Sequence, residues 1–385
     1  MPPVVEVPEE LTPEQRLLWE RVDAFSRDPF ERLAADLDRA SAAGDGTTRR
    51  ATIDAIAAAA RDAGLFGLAQ PVRFGGAGAD AVSLCLARER IAATGLAARR
   101  FVFGPGPGLL AGVTGTLENR YLAPLMRGES RTAFAFTDAR EQTTWAREAA
   151  DGGWHLHGRK AYVTGGADAD FFTIVARLES GGALAAVVDA TAPGLTRSAP
   201  FSSMDGSHHV VLDLDGVRVG ADALLGAPGE GLPRALAQIG DTRLAIAAEA
   251  CGLMAFALGH LEARLRARAG AGVPLGDREG VRLRFADGRI DAFAARSMLY
   301  RTARLVDAGQ NAINETIATK VFATEAAGRV IDMALQLEGG AALVQGHPLE
   351  RLYREVRALR FTEGASDVLR LGLARGRLDL RKGRL

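Results

Sequence analysis

The sequence predicts an α+β protein with an N-terminal α-helical domain over residues 1–130, a middle antiparallel β-barrel or sandwich domain over 131–229, and a C-terminal helical bundle over 230–385. Three observations carry this. Apolar residues recur at helical spacing through the first third of the chain. From about residue 131 the spacing changes to alternation, with glycine and proline turns between short runs. Near Gly229-Glu-Gly231 the helical spacing returns and persists to the end. At 385 residues the chain exceeds one simple core and fits two or three packed units.

Taken in order, residues 13–25 and 30–43 read as amphipathic helices, and residues 52–63 place Ile53, Ile56 and Ala60 on one stripe. Glycine-rich turns follow at 64–67 and 74–78, and a helix over 81–94 can stop at Gly95. A loop at 104–108 leads into a helical hairpin that closes at Arg127-Gly-Glu. Residues 161–164, 171–177 and 184–189 are short β runs, and 209–219 alternates with Val210, Leu212 and Leu214 on one face. Long helices are expected at 242–268, 278–308 and 314–337, enough for a bundle. The last has Asn314 as its N-cap and Gly339-Gly340 as its stop.

Composition excludes several classes of function. Basic and acidic residues balance at 47 each, which offers no electrostatic basis for binding nucleic acid or an anionic membrane. Lysine occurs only at Lys160, Lys320 and Lys382, a bias that reads as genomic base composition. Cys85 and Cys251 lie in apolar helical contexts and are expected as buried free thiols. The N-terminus is acidic and broken by proline, unlike a signal or transit peptide, and no apolar run looks long enough to span a bilayer. A cytoplasmic protein is the resulting expectation. Adjacent His208 and His209 face opposite sides of a strand, so no metal site is expected there.

The most informative segment is Leu349-Glu-Arg-Leu-Tyr-Arg-Glu-Val-Arg-Ala-Leu-Arg-Phe-Thr-Glu363-Gly364, an arginine-rich amphipathic run broken at Glu-Gly before the pattern resumes at Ser366. Gly364 permits a sharp turn, and Glu363 is the last side chain before it. The segment resembles the catalytic region of the acyl-CoA dehydrogenases, in which a Glu-Gly-Thr step carries the base that removes the proton next to a thioester carbonyl. Here Ala365 replaces the Thr. Read alone, Glu363 would more readily be a surface carboxylate pairing with arginines. Further landmarks in family order, across roughly residues 50–375, favour the resemblance.

Gly64-Leu-Phe-Gly-Leu-Ala-Gln-Pro-Val-Arg-Phe-Gly-Gly-Ala-Gly78 resembles a structural turn of the family. Phe134-Ala-Phe-Thr137-Asp138 is similar to the strand that lies along the flavin, and Thr143 falls at a substrate-side Ser position. The intervening loop lacks the usual Pro and Gly. Gly158-Arg-Lys-Ala-Tyr162-Val-Thr164 resembles the segment whose aromatic and Thr flank the flavin, the Thr near its reactive nitrogen. Ile239-Gly-Asp-Thr-Arg243 resembles a substrate-site segment, with Gly240 where an acid usually stands. Arg268, Glu279 and Gln336-Leu-Glu-Gly339-Gly340 match positions that reach a neighbouring subunit's cofactor, with Glu279 in place of Gln. Ala365 and Asp367 fall at further flavin-contact positions, and Gly364 beside the substrate.

The resemblance implies FAD-dependent α,β-dehydrogenation of an acyl thioester, with Glu363 as base, by a homodimer or homotetramer. The thioester is on coenzyme A or an acyl carrier protein, and electrons leave to an electron-transfer flavoprotein or a similar acceptor. Neither nucleic acid nor membrane is an expected partner. A flavin oxidase or monooxygenase on the same fold, or a non-catalytic scaffold subunit, remain as alternatives.

Overall fold

The computed structural model describes residue 8, residues 10–267 and residues 273–381. Arg268 therefore lies outside the described residues. The chain divides into two compact units, one made of residues 1–69, 77–104 and 240–385, the other of 70–76 and 105–239.

The first unit is helical. Helix α1 (Pro13–Phe25) opens with a capping box between Thr12 and Gln15 and has proline in its first turn. Helix α2 spans Glu31–Ala42 and α3 spans Gly46–Asp62. The start of α3 lies six residues before the expected one, because Asp45 accepts from the Thr48 amide and caps a polar first turn that carries no apolar stripe. Helix α4 is Ala81–Ala92, capped by Asp80. Within the second unit, the hairpin expected after residue 108 is mostly 3₁₀ and π turns, with only Ala123–Arg127 (α5) as α-helix.

Helix α6 spans Gly231–Arg266, starting eleven residues before the expected position. Leu232 and Leu236 at its start are exposed, while the buried positions Gly231 and Ala235 are small, so the inward stripe of its first turns is weak in the sequence. Gly240 and Arg243 therefore sit inside this helix and do not open it. An 18-residue window of α6 has a mean hydropathy of 1.7, long and apolar enough to cross a membrane. That corrects the sequence expectation. Within the protein 67% of this window is buried, as in the core helix of a soluble fold. Helices α7 (Glu279–Asp307), α8 (Ile313–Glu338), α9 (Pro348–Leu359) and α10 (Ser366–Leu378) complete the unit. Asn314 lies within α8 and is not its cap. The N-cap position is Ala312, and the Asn311 side chain accepts from the Ile313 amide.

The N-terminal helices and the C-terminal bundle share one core, in which Val22, Phe30, Ile56 and Leu86 pack with Leu253, Leu299, Ala326 and Leu352. Cys85 and Cys251 are buried free thiols within it, as expected. Two charged networks cross this core. Buried Glu89 on α4 accepts from Arg296 Nε at 2.6 Å and from Tyr300 Oη at 2.5 Å, both on α7. Arg99 bridges Glu249 of α6 and Glu355 of α9, each at 2.7 Å.

The second unit is a curled sheet of β1 (Thr132–Ala135), β2 (Trp145–Glu148), β3 (Trp154–Thr164), β4 (Phe171–Leu178), β5 (Ala183–Asp189), β6 (Leu195–Arg197), β7 (Phe201–Ser202) and β8 (His208–Val219). The path runs β1-β4-β2-β3-β8-β6, with β5 on β4 and β7 on β8. Most pairs are antiparallel, but β1 and β2 both run parallel to β4. Thr132 pairs with Phe171 and Trp145 with Arg177, so β1 and β2 form one interrupted line along β4. The loop 136–144 is the interruption. Alternation in a sequence does not show strand direction, so these parallel pairs were not legible.

Removing the Glu89 carboxylate by Glu89→Ala takes the acceptor from the buried Tyr300 hydroxyl and from Arg296 Nε. On the order of 3–5 kcal/mol of stability is lost in denaturant unfolding. A change below about 0.5 kcal/mol, typical of surface positions, would show the network to be energetically idle.

Candidate active site

Helix α9 ends at Leu359, so Glu363 does not close it but sits in the turn before α10. The turn is built from main-chain bonds. The Gly364 amide donates to Phe361 O at 3.1 Å and the Ser366 amide to Arg360 O at 3.0 Å. Glu363 has φ 54° and Gly364 φ 111°, two left-handed residues in succession. Glycine accepts this readily, while glutamate in this region costs ~1–2 kcal/mol. Such strain persists where surrounding contacts over-determine the conformation, commonly at functional sites.

Two cations supply those contacts. Arg243 of α6 donates from Nε to Glu363 O at 2.9 Å. Lys320 of α8 donates from Nζ to Gly364 O at 2.8 Å and to Arg360 O at 3.3 Å. Both charges are thus occupied by carbonyls of the turn. Among the described residues, neither cation forms an ion pair with the Glu363 carboxylate. Burial pushes the Glu363 carboxyl above the ordinary value, with Arg243 and Lys320 pulling only partly the other way. Lys320 is fully buried, and its amine is lowered to about 8, first by burial and then by Arg243.

Among the other candidate bases, Gly240 has no side chain, Glu249 is paired with Arg99, and Asp241 is exposed, though partial burial raises its carboxyl too. Ala365 occupies the N-cap position of α10 without a side chain that can cap. Asp367 is exposed, and Arg370 ties α10 to α8 through Glu325 at 2.5 Å. Glu279 is exposed at the first turn of α7, beside a groove of about 540 Å³ lined by Arg266, Asp277, Arg282, Phe285 and Arg289. Gln336 is exposed, and Gly339 ends α8 with φ 91°. Next to it, His260, Glu338 and His347 cluster with ligand atoms within 4.8 Å of one another. Arg264 takes the other Glu338 oxygen at 3.7 Å, and His347 Nδ1 accepts from the Leu349 amide. The cluster joins the C-terminal part of α6, the end of α8 and the start of α9.

In the sheet unit, Phe134 and Phe136 stack at 5.6 Å between ring centroids. Thr137 and Thr143 are exposed. The 136–139 segment is held to β3 by the Ala161 amide on Thr137 O and by buried Lys160 on Asp138, at 2.7 Å. Gly158 is obligatory at φ 120°, where a Cβ would stand 2.4 Å from Thr143 O. Between Lys160 and Val163 the β3–β8 register shifts, and Tyr162 has φ 55°. This bulge reverses the side-chain parity. Lys160 points inward, while Tyr162 (65% exposed) and Thr164 both point outward around buried Val163. Tyr162 and Thr164 thus share a face as expected, and the Tyr162 ring meets Phe201 and His209 edge-on.

Sequence reading missed Lys160 and Lys320. Their signal was rarity, since the only three lysines stand among 47 basic residues. A compact ammonium with rotatable donors suits a buried bond to several carbonyls better than a rigid guanidinium fork.

Family models described as the N-terminal, middle and C-terminal domains of acyl-CoA dehydrogenase match residues 12–129, 135–217 and 229–378. The chain is 30% identical over 328 residues to the "3-(aryl)acrylate reductase" of Clostridium sporogenes, covering 81% of this chain and 86% of that protein. It is also 30% identical over 328 residues to the human mitochondrial short-chain specific acyl-CoA dehydrogenase, covering 81% and 79%. The fold matches that of butyryl-CoA dehydrogenase from Megasphaera elsdenii with a TM-score of 0.79 at 24% identity, over 95% of this chain and 98% of that one.

Replacing Lys320 with methionine removes the side-chain donor to Gly364 O and leaves Arg360 O with its Ser366 bonds, at a cost of about 1–3 kcal/mol. The folded amine titrates near 8 and the unfolded one near 10.5, so between these values the unfolded chain binds more protons. This group therefore makes stability rise with pH across that window. Denaturant unfolding at pH 8 and pH 10 checks it, with the rise smaller in Lys320→Met. An equal rise in both proteins would contradict the assignment.

Proposed function

The chain belongs to the acyl-CoA dehydrogenase family, and we propose that it removes the α-proton of an acyl thioester with Glu363 while FAD accepts the β-hydrogen. The observation carrying this reading is the Glu363 turn, where a half-buried carboxylate is raised in pKa and left unpaired. A thioester α-hydrogen is a very weak acid, so a base with a raised pKa is better matched to it. Bonds to the developing enolate oxygen supply the rest, and the Glu363 amide is the group assigned that task. Arg243 and Lys320 hold the turn so that the carboxylate and this amide keep a constant relation.

The chain's residues fit a flavin. Exposed Tyr162 and Thr164 on one strand face offer an aromatic surface beside a hydroxyl, which suits a planar ring with a polar edge. Phe134, Thr137, Tyr162 and Thr164 are assigned to the ring. Glu279, Gln336, Gly339, Gly340 and Arg268 (outside the described residues) are assigned to the rest of the cofactor across a subunit interface, and Ala365 and Asp367 to further flavin contacts. That makes the working form a homodimer or homotetramer. Thr143, Arg243 and Gly364 flank the thioester, on coenzyme A or a carrier protein. Bound FAD supplies the hydride acceptor, and electrons pass on to an electron-transfer flavoprotein or similar acceptor.

The reverse direction is a second reading, favoured by the similarity to a reductase. There a protonated Glu363 would deliver the α-proton to an enoyl group, and the hydride would come from FAD previously reduced by a separate electron donor. A raised carboxyl pKa serves this direction as well.

Glu363→Gln keeps the shape and removes basicity. It binds FAD as the wild type does and loses roughly 10²–10⁴-fold in the rate of flavin reduction by an acyl thioester. In the wild type the rate falls as pH drops through the raised Glu363 value, because protonation removes the base. That acid limb is absent from the residual rate of Glu363→Gln. Reduction at the wild-type rate in the variant would move the oxygenase or scaffold reading ahead.

A further inference from the structure

His209 lies on β8 opposite Thr164 of β3 and makes more side-chain contacts than any role considered so far requires. Its Nδ1 is 3.0 Å from Thr164 Oγ1. Its Nε2 is 2.8 Å from Ser203 Oγ and 3.0 Å from Ser207 Oγ. Ser207 in turn donates its hydroxyl proton to Asp205 Oδ1 at 2.7 Å. The rings of Phe201 and Tyr162 close the remaining sides. The charged or titratable groups facing the imidazole are Asp205 from the 203–207 loop, His208 beside it and Tyr162 from β3.

Hydrogen-bond arithmetic fixes the protons. A carboxylate is an acceptor only, so the single Ser207 proton goes to Asp205 and Ser207 must accept from Nε2. Nε2 therefore carries the hydrogen, and Ser203, whose hydroxyl rotates freely, can accept from it too. In neutral imidazole Nδ1 is then the bare nitrogen, which accepts from the Thr164 hydroxyl. The Thr164 proton points at His209, leaving an oxygen lone pair on the exposed face. When His209 is protonated both ring nitrogens donate, Thr164 Oγ1 must accept from Nδ1, and its proton turns outward.

We infer that His209 is a positioning residue that sets the hydrogen-bond polarity of the Thr164 hydroxyl, acceptor towards the exposed face when His209 is neutral and donor when it is protonated. Burial holds the imidazole below its ordinary value of about 6.5, against the pull of Asp205. At neutral pH the acceptor state is therefore the resting one. For the flavin the inference rests on the reading that places Thr164 against the ring's reactive nitrogen. That nitrogen accepts a hydrogen bond in the oxidised ring and donates one in the reduced ring. The resting acceptor state of Thr164 thus matches the reduced form of the cofactor, and protonation of His209 moves the match to the oxidised form.

Two measurements test this. The nitrogen chemical shifts of ¹⁵N-histidine-labelled holoprotein, assigned by comparison with His209→Gln, report the tautomer directly. The expected result is protonated Nε2 and bare Nδ1 at pH 7.5, with a titration below 6.5. A protonated Nδ1 at pH 7.5 overturns the inference. The visible spectrum of bound FAD between pH 5 and 8 gives the second readout. A one-proton step below 6.5 is expected in the wild type and is lost in both His209→Gln and Thr164→Val. No step in the wild type, or a step that persists in His209→Gln, also overturns it. If Thr164→Val instead matches the wild type in spectrum and FAD affinity at every pH, the placement of Thr164 on the flavin fails. The nitrogen shifts then decide the hydroxyl polarity alone, protonated Nε2 upholding it and protonated Nδ1 refuting it.

Discussion

The candidate active site depends on where two positive charges are directed. Arg243 and Lys320 bind the carbonyls of Glu363, Gly364 and Arg360, and the carboxylate between them stays unpaired. Had either cation paired with that carboxylate, its pKa would fall and its basicity with it. Holding the turn by its backbone separates two requirements that otherwise conflict. The turn is rigid because its carbonyls are bonded, and the side chain remains basic because burial dominates its surroundings.

Much of the helical unit can be understood as support for that turn. Lys320 is fully buried, and along the same helix α8 Ala323, Ala326 and Ala327 are fully buried as well. Arg243 must hold its reach from α6, and Arg99 ties α6 to α9 through Glu249 and Glu355. Glu89 joins α4 to α7 in the same way. Truncating one partner of such buried groups is expensive, which makes them effective at holding one arrangement. In the sheet unit a different device serves the same purpose. A single bulge at Tyr162 reverses parity, so one strand buries Lys160 beneath the 136–139 loop and still presents Tyr162 and Thr164 outward.

The order of helical, alternating and helical stretches was legible because it rests on apolar periodicity, which the buried faces impose directly. Glu363, Gly364, Tyr162 and Thr164 were legible as motifs. The start of α6 was hidden by exposed Leu232 and Leu236, and that of α3 by a polar capped turn. Parallel pairing of β1 and β2 with β4 depends on long-range register, for which alternation carries no sign. Lys320 and Lys160 looked like leftovers of a compositional bias, yet both are buried donors. His209 was weighed only against a metal role. Its contacts with Thr164, Ser203 and Ser207 come from β3 and from the 203–207 loop, which the β8 pairings bring together.

The central claim is that the α-proton leaves to the protein while the β-hydrogen leaves to the cofactor. Anaerobic rapid mixing of the FAD-loaded protein with a panel of acyl thioesters, each protiated, α-deuterated or β-deuterated, tests this most directly. The account predicts flavin bleaching with at least one thioester, slowed by a primary isotope effect at both positions. Bleaching that ignores α-deuteration, or no bleaching by any saturated or α,β-unsaturated thioester in either redox direction, would contradict it.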